Sequence, residues 1–184
     1  MWRELGMHMR KLGTVHGGRC GLRILPTIPH NQRMASPLSL PNAKDLTKEA
    51  PRSPRVRLGG YALLARMIDK GRAFLVGKNG EYNFDCPLDE HLLSFKGVTG
   101  DQVRQLLASG AGDEEIVHWF NQNGTPRTAE EIERWSAEEE RGSLHGHPEK
   151  GAWFDEQCRS LGLDPATASL FDMLEADDRV SFHG

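Results

Sequence analysis

Residues 44–96 read KDLTKEAPRSPRVRLGGYALLARMIDKGRAFLVGKNGEYNFDCPLDEHLLSFK, and this stretch decides the fold class. Within it, apolar side chains recur at the three- and four-residue spacing of one helix face. These side chains are Leu58, Tyr61, Leu64, Ala65 and Ile68. The spacing predicts an amphipathic helix with Arg66, Asp69 and Lys70 on its other side.

The end of this helix has two alternatives. Gly71 ends it, or it continues to Val76. In the first case, residues 74–76 and 82–84 would pair around Asn79-Gly80 as a short β-hairpin within residues 73–84. Asn-Gly is a strong hairpin signal because both turn positions need a positive φ. The sequence leaves both alternatives open.

Six further helices are predicted from capping residues and apolar spacing between residues 87 and 184. Lys96 and Gly97 close the first of these. The other starting signals are Thr99 with Gln102, Asp113, Thr128 with Glu131, and Asp164 with Pro165. Phe154, Cys158 and Leu161 share the inner face of another predicted helix, which stops at Gly162. We therefore expect an all-α or mainly α fold, a compact multi-helix single domain over residues 44–184.

Residues 1–43 are predicted to lie outside this domain. Residues 1–33 contain six Lys and Arg, one acid and no serine, with no continuous apolar run. This composition fits neither a secretory signal nor an organellar transit peptide. We interpret residues 1–33 either as a disordered tail or as an extension added by assigning the start codon too early. In the second case Met34 would be the true first residue. Residues 35–43 are a short Pro/Ser linker.

Charge divides the chain into two unlike parts. Residues 1–78 hold 15 Lys and Arg against 4 Asp and Glu, a net charge of +11. Residues 79–184 hold 8 against 22, a net of −14. Such asymmetry indicates surfaces with opposite partners, one part packing electrostatically on the other, or simply solvated faces.

Several classes of protein are disfavoured. No apolar run approaches the ~20 residues of a membrane-spanning helix. Three dispersed cysteines form neither a disulfide framework nor a zinc site, which favours a reducing cytoplasm. The pI of about 6.2 and the lack of a stacking array of aromatic residues argue against nucleic-acid binding.

A cationic segment offers a candidate anion site. Arg52, Arg55 and Arg57 stand between prolines that keep the backbone extended, and guanidinium groups suit phosphate or carboxylate. Gly59-Gly60 then precedes the predicted N-terminus of a helix, where backbone N–H groups favour an anion. Lys70, Arg72 and Lys78 are candidate outer walls. The alternative, which the sequence favours, is that these cations pair with the acidic half.

Cys86 is the cysteine in the most suggestive setting, with Asp85 before it and His91 five residues later. These three are the candidate catalytic residues, because a nucleophilic thiol needs a nearby cation or helix N-terminus. Asp85 opposes this role through its negative charge. An inert, packed cysteine is the favoured alternative.

Two groups of residues have donor atoms for a metal, but neither has the pattern of a metal site. His145 and His147 lack a third ligand. The acid cluster Asp172, Glu175, Asp177 and Asp178 lacks the alternation of a calcium loop. Docking of this cluster onto the cationic segment is the favoured interpretation. We predict no cofactor and no metal.

Four blocks of the sequence carry a family resemblance. They are RSPRVRLGGYALLARMIDK, GEYNFDCPLD, DEEIVHWF and SLFDMLEADDRVSF, spread over residues 44–184. Together they resemble an uncharacterised bacterial family, domain of unknown function number five thousand and sixty-nine. The resemblance implies a small, free-standing, soluble bacterial protein of the cytosol. It supplies no substrate, cofactor or catalytic residue.

Two functions remain as hypotheses. The first is a cytoplasmic protein-binding or regulatory module, favoured because no catalytic constellation is evident. The alternative is an enzyme or ligand-binding protein for an anionic or phosphorylated small molecule, held by Arg52, Arg55 and Arg57. A concave pocket would favour the second, whereas an exposed apolar patch or a flat charged face would favour the first.

Overall fold

The computed structural model describes residue 40 and residues 42–183. This part of the chain forms seven α-helices: α1 Leu64–Leu75, α2 Pro87–Lys96, α3 Gly100–Ala108, α4 Asp113–Gln122, α5 Ala129–Arg141, α6 Gly151–Ser160 and α7 Leu170–His183. Its β structure consists of an isolated bridge between Leu58 and Tyr61. The predicted all-α fold is therefore confirmed. The predictions for residues 1–39 concern residues outside the described part.

Helix α1 is the central element of the fold. Each of its residues from Leu64 to Ala73 is buried, and these include Arg66, Asp69, Lys70 and Arg72. The apolar spacing correctly predicts a helix here, but Leu58 and Tyr61 precede it and form the isolated bridge instead. However, the side opposite the apolar face packs against other elements rather than water, so its charged groups need partners within the protein.

The hairpin alternative for residues 73–84 is wrong, because α1 continues past Gly71 to Leu75. Residues 74 and 75 are helical and cannot form a strand. Asn79-Gly80 still turns the chain: Gly80 has a φ of 54°, and the N–H of Tyr82 donates to the carbonyl of Asn79 at 2.9 Å. The rings of Phe74 and Phe84 stack across this turn, with their centroids 6.4 Å apart.

Two apolar clusters form the core. The first joins α1 to α2, α3, α4 and α5 through side chains that include Ile68, Leu92 and Phe120. The second joins residues 62–63, just before α1, to Leu88 of α2 and to side chains of α6 and α7. Helix α1 thus contributes to the first cluster, and the segment that leads into it contributes to the second.

Two predicted starting points differ from the structure. Asp113 is the first residue of α4 rather than its cap, since Gly112 occupies that position. The last helix starts at Leu170 rather than at Asp164-Pro165. Residues 164–168 form a separate turn, and Ser169 then caps α7: its hydroxyl accepts from the N–H of Asp172 at 3.1 Å. Ser169 and Asp172 thus each accept a hydrogen bond from the other's backbone N–H, which caps the N-terminus of α7.

Within residues 42–183, the helices are too short or too polar to cross a lipid bilayer.

Candidate functional site

The cationic segment, residues 52–57, lies along several carboxylates, of which Asp69 is buried. Arg52 is held by Asp69, whose Oδ1 lies 2.8 Å from Nη2, and by Asp113, whose Oδ2 lies 2.5 Å from Nη1. The side chain of Asp69 is only 4% exposed. Arg52 therefore neutralises a carboxylate that has almost no access to water.

Arg55 and Arg57 also have acidic partners from the C-terminal half. Arg55 donates to Asp172 at 2.7 Å and to Glu175. Arg57 lies 2.8 Å from Glu140. The predicted ion pairs between the cationic segment and the acidic half thus form. An external anion at these arginines would have to compete with carboxylates already in place.

Gly59 and Gly60 do not lie at a helix N-terminus, which corrects the sequence interpretation. Helix α1 begins at Leu64, after Leu63 with a φ of 66°. The glycines instead form a turn that packs on α4 and α5: the carbonyl of Gly60 accepts from the hydroxyl of Ser136 at 3.1 Å. Their positive φ values, 60° and 88°, explain the residue type.

Of the two predicted walls on α1, Arg72 lies beside Arg52, whereas Lys70 does not join the arginine trio. Arg72 shares Asp113 with Arg52, with its Nη1 2.7 Å from Oδ1. Lys70 projects from another side of α1 and contacts α2. Lys78 is exposed and lies 3.6 Å from Asp45. Of the predicted anion-binding set, Arg52 and Arg72 thus converge on one carboxylate, whereas Lys70 and Lys78 have other partners.

A cavity of about 780 Å³ lies on the side of α1 that Lys70 faces. We call it the inter-helix cavity: it is bounded by α1, residues 80–86, the start of α2, α6 and α7. Its apolar and aromatic walls include Leu88, Met173, Tyr82, Trp153 and Phe182. Its charged lining residues are Arg66, Lys70, Glu81, Asp85 and Asp177.

Both cations of the inter-helix cavity, Arg66 and Lys70, already have a carboxylate partner. Arg66 forms a bidentate pair with Asp178, at 2.6 and 3.0 Å. Lys70 lies 2.8 Å from Oδ1 of Asp89. Glu81, Asp85 and Asp177 are the other charged residues of the lining.

Cys86 brings a sulfur to the wall of the cavity, next to Lys70. The ammonium of Lys70 donates to Sγ of Cys86 at 3.2 Å. Cys86 also occupies the N-cap position of α2, and its backbone N–H donates to Asp89. Burial alone lowers the pKa of Lys70, but Asp89 and Cys86 outweigh burial, so its pKa is raised and the side chain stays cationic.

Asp85, the residue before Cys86, has a φ of 60°, which is an uncommon conformation for a residue other than glycine. Its carboxyl group contacts Glu90, whose pKa is raised by burial first and then by the hydrogen bond and charge of Asp85. His91 faces elsewhere, with Nδ1 2.9 Å from Glu139. Of the candidate catalytic residues, Asp85 and Cys86 line the cavity and His91 does not.

The C-terminal acids are divided among different partners. Asp172 and Glu175 pair with Arg55, and Asp178 pairs with Arg66. His145 pairs with Asp155 at 2.8 Å. Among the described residues, no three His, Cys, Asp or Glu side chains converge as metal ligands. Docking onto the cationic segment is therefore seen for Asp172 and Glu175, whereas Asp178 contacts α1 and Asp177 lines the inter-helix cavity.

Sequence reasoning named Lys70 and Cys86 but did not place them together. They are 16 positions apart, and their contact depends on how α1 packs on α2. The sequence places Lys70 on the polar face of α1. It does not show that this face is buried, so the contact with Cys86 could not be predicted.

Comparison with known proteins gives one result on identity. No curated protein matches the chain. The model of one family matches residues 48–180, which is most of the chain and nearly all of the described helices. The chain therefore belongs to the family described as Domain of unknown function (DUF5069).

Proposed function

We propose that the protein binds a small organic molecule in the inter-helix cavity and that this molecule is uncharged or cationic. The observation that carries the proposal is the cavity itself, with about 780 Å³ of space between apolar and aromatic walls. Ligand pockets commonly have volumes of roughly 300–1,000 Å³ and a few polar groups on apolar walls.

Charge supports the choice of ligand class. Arg66 and Lys70 are matched by Asp178 and Asp89, while further carboxylates line the same space. Because both cations of the lining are already ion-paired, an anionic ligand would have to compete with Asp178 and Asp89 for them. An organic cation could instead gain from an aromatic side chain of the lining such as Trp153.

A matched series of hexyl compounds tests this proposal. Binding of hexyltrimethylammonium, 1-hexanol and hexanoate to the full chain is measured by isothermal titration calorimetry. These probes share one tail and differ in charge. We expect the cation to bind at least as tightly as the alcohol, and the anion to bind about tenfold more weakly than the cation or worse.

A cavity-filling variant locates the binding. Leu174→Trp places a larger side chain on the cavity wall and is expected to abolish binding of the cation. Leu106→Trp, at a surface groove between α3 and α4, is the matched control and should bind like the unmodified protein. Failure of all three probes to bind, or full binding by Leu174→Trp, would contradict the proposal.

The two hypotheses from the sequence stay predictions beside this one. An anionic ligand at Arg52, Arg55 and Arg57 would have to displace carboxylates, so a melting shift that the Arg52→Ala/Arg55→Ala variant loses would support it. A protein-binding or regulatory role would require a docking surface. The exposed large apolar side chains in the described part are Val56, Phe74 and Val180.

A bacterial cytoplasmic location completes the proposal. It is supported by the free thiols of Cys86 and Cys158, because reducing compartments keep thiols unpaired. Fractionation of the native host, followed by immunodetection, tests the location directly.

A further inference from the structure

Residues 76–86, which we call the strap, connect α1 to α2 and form turns rather than helix or strand. The strap is one wall of the inter-helix cavity. Its lining residues are Gly80, Glu81, Tyr82, Asn83, Asp85 and Cys86. A segment without regular secondary structure thus bounds the proposed ligand site.

The cavity meets solvent where the strap approaches α7. The lining residues Arg66 and Met173 are buried, whereas Asn83 and Asp85 of the strap are exposed. Ser181, near the end of α7, also lines the cavity and is exposed. The rim of the cavity is therefore formed by the strap on one side and by α7 on the other.

Tyr82 ties the strap to α7 across this rim. Its hydroxyl donates to Oδ1 of Asp178 at 2.7 Å. Its ring stacks on the ring of Phe182, with the two centroids 6.5 Å apart. Asp178 and Phe182 both belong to α7. One side chain of the strap thus makes two contacts with the opposite side of the rim.

The contact between Tyr82 and Asp178 can break without leaving a buried charge unpaired. Asp178 keeps its bidentate ion pair with Arg66, at 2.6 and 3.0 Å. Burial first, and then the hydrogen bond and the charge of Asp178, raise the pKa of the Tyr82 hydroxyl. The hydroxyl therefore remains a neutral donor, and its transfer to water costs one hydrogen bond to a charged acceptor.

Both ends of the strap are anchored, and Tyr82 lies between the anchors. Before it, the carbonyl of Lys78 accepts from the N–H of Leu46 at 2.9 Å. After it, the side chain of Phe84 is packed against the first apolar cluster. The N–H of Tyr82 donates to the carbonyl of Asn79 at 2.9 Å, within the strap itself. An opening movement is therefore confined to the residues between Lys78 and Phe84.

We infer that Tyr82 is the gate of the inter-helix cavity: the residues between Lys78 and Phe84 swing away from α7 to admit the ligand and then close behind it. The inference rests on the proposed ligand site and adds the route by which the ligand enters. In the closed state Tyr82 bonds to Asp178 and stacks on Phe182. In the open state its hydroxyl is hydrated, and the helices that form the other walls stay folded.

Hydrogen exchange of the backbone N–H at position 82 tests the gate without any ligand. This N–H is followed by NMR in the full chain, together with that of Ile68, which is buried in the middle of α1. We expect position 82 to be protected, but to exchange faster than Ile68 and with little dependence on low concentrations of urea. Exchange at Ile68 should need unfolding of the helices, so its rate should rise steeply with urea.

The two tyrosines of the chain provide a matched pair of variants. Tyr82→Phe removes the hydroxyl that bonds to Asp178 and should speed exchange at position 82 about tenfold. Tyr61→Phe removes a hydroxyl that donates to Asn121 at 3.1 Å, and it should leave exchange at position 82 unchanged. Phe182→Leu removes the ring contact from the other side of the rim and should speed exchange there about threefold.

Binding rates connect the gate to the proposed function. Stopped-flow tryptophan fluorescence follows the association of hexyltrimethylammonium, because Trp153 lines the cavity. Tyr82→Phe should raise the association and dissociation rate constants together, each about tenfold, and leave the Kd nearly unchanged. If Tyr82 were only a contact in the wall, its loss would change mainly the dissociation rate constant and the Kd.

The outcomes separate the gate from the proposed function. The gate is wrong if position 82 is unprotected, if it exchanges like Ile68 at every urea concentration, or if Tyr82→Phe and Tyr61→Phe give it the same rate. An association rate constant that Tyr82→Phe leaves unchanged would also overturn it. If hexyltrimethylammonium does not bind at all, the proposed function fails, and the exchange rates alone then decide for or against the opening movement.

Discussion

The guanidinium of Arg66 and the carboxylate of Asp178 form a two-pronged ion pair across 112 positions of the chain. Their side chains are only 5% and 11% exposed, so each charge relies on the other. The hydroxyl of Tyr82 also donates to Asp178 at 2.7 Å. This pair connects α1 to α7 directly.

Replacing Arg66 by Met is expected to destabilise the protein by about 3–5 kcal/mol, because Asp178 would remain buried without its main partner. Urea unfolding measures the loss. The double variant Arg66→Met/Asp178→Asn should recover part of it, since the unpaired charge is gone. Arg104→Met, which breaks an exposed pair with Asp101, should cost less than about 1 kcal/mol. Equal losses in the two single variants would contradict this view.

Asp113 should make the protein sensitive to acid. Burial by itself raises the pKa of this carboxyl, but Arg52 and Arg72 outweigh burial, and its pKa lies below the usual range. A lowered pKa contributes stability above the unfolded value of about 3.9, and the contribution is lost as the pH falls through the folded value. Unfolding free energies of Asp113→Asn should therefore change less than those of the unmodified protein below about pH 4. Asp113→Glu, which keeps the charge, serves as control.

Glu90 should change the pH dependence of stability in the direction opposite to Asp113. Its pKa is raised, so the folded protein favours the protonated form and loses stability as the pH rises through the window above the unfolded value. Glu90→Gln is expected to be more stable than the unmodified protein at pH 7, and the gain should vanish on acidification. Asp85→Asn should reduce the gain, because Asp85 is one cause of the shift. A less stable Glu90→Gln at pH 7 would refute this reading.

Gly59 should tolerate no side chain. Its φ is 60°, and an added Cβ would lie 2.5 Å from Cγ1 of Val117. Gly59→Ala is expected to cost about 2–4 kcal/mol from backbone strain and overpacking together. Gly110→Ala has a similar φ, 86°, but open space around the new Cβ, and should cost about 1–2 kcal/mol. The difference between the two melting temperatures isolates the contact with Val117, and Val117→Ala should reduce it.

Much of the fold could be predicted because its signals are local. Thr99 with Gln102 and Thr128 with Glu131 cap α3 and α5 as expected. Gly97, with a φ of 67°, ends α2. These features depend on neighbouring residues within one turn, so the sequence contains nearly all of the information.

The starts of α1 and α7 depend on distant parts of the chain and were harder to predict. Leu63 adopts its left-handed conformation while its N–H donates to the carbonyl of Pro54 at 3.0 Å. The N–H of Leu170 donates to the carbonyl of Gly142 at 2.7 Å. Propensity alone cannot account for such tertiary hydrogen bonds.

The candidate site shows the same division. The charge split indicated that arginines and carboxylates would pair, but it could not assign Arg52 to Asp69 and Asp113 or Arg55 to Asp172. Nor could the helical periodicity reveal that the polar side of α1 is enclosed. The cavity and the contact of Lys70 with Cys86 follow from that enclosure.

The burial of α1 also sets an order of events during synthesis. Ribosomes make the N-terminal part of a chain first. Lys70 meets its carboxylate, Asp89, soon after it emerges, whereas Arg66 has to wait for Asp178. Until α7 has been made, the nascent chain carries an uncompensated arginine on its central helix. Nascent α1 should therefore dock fully only after residue 178 has emerged from the ribosome.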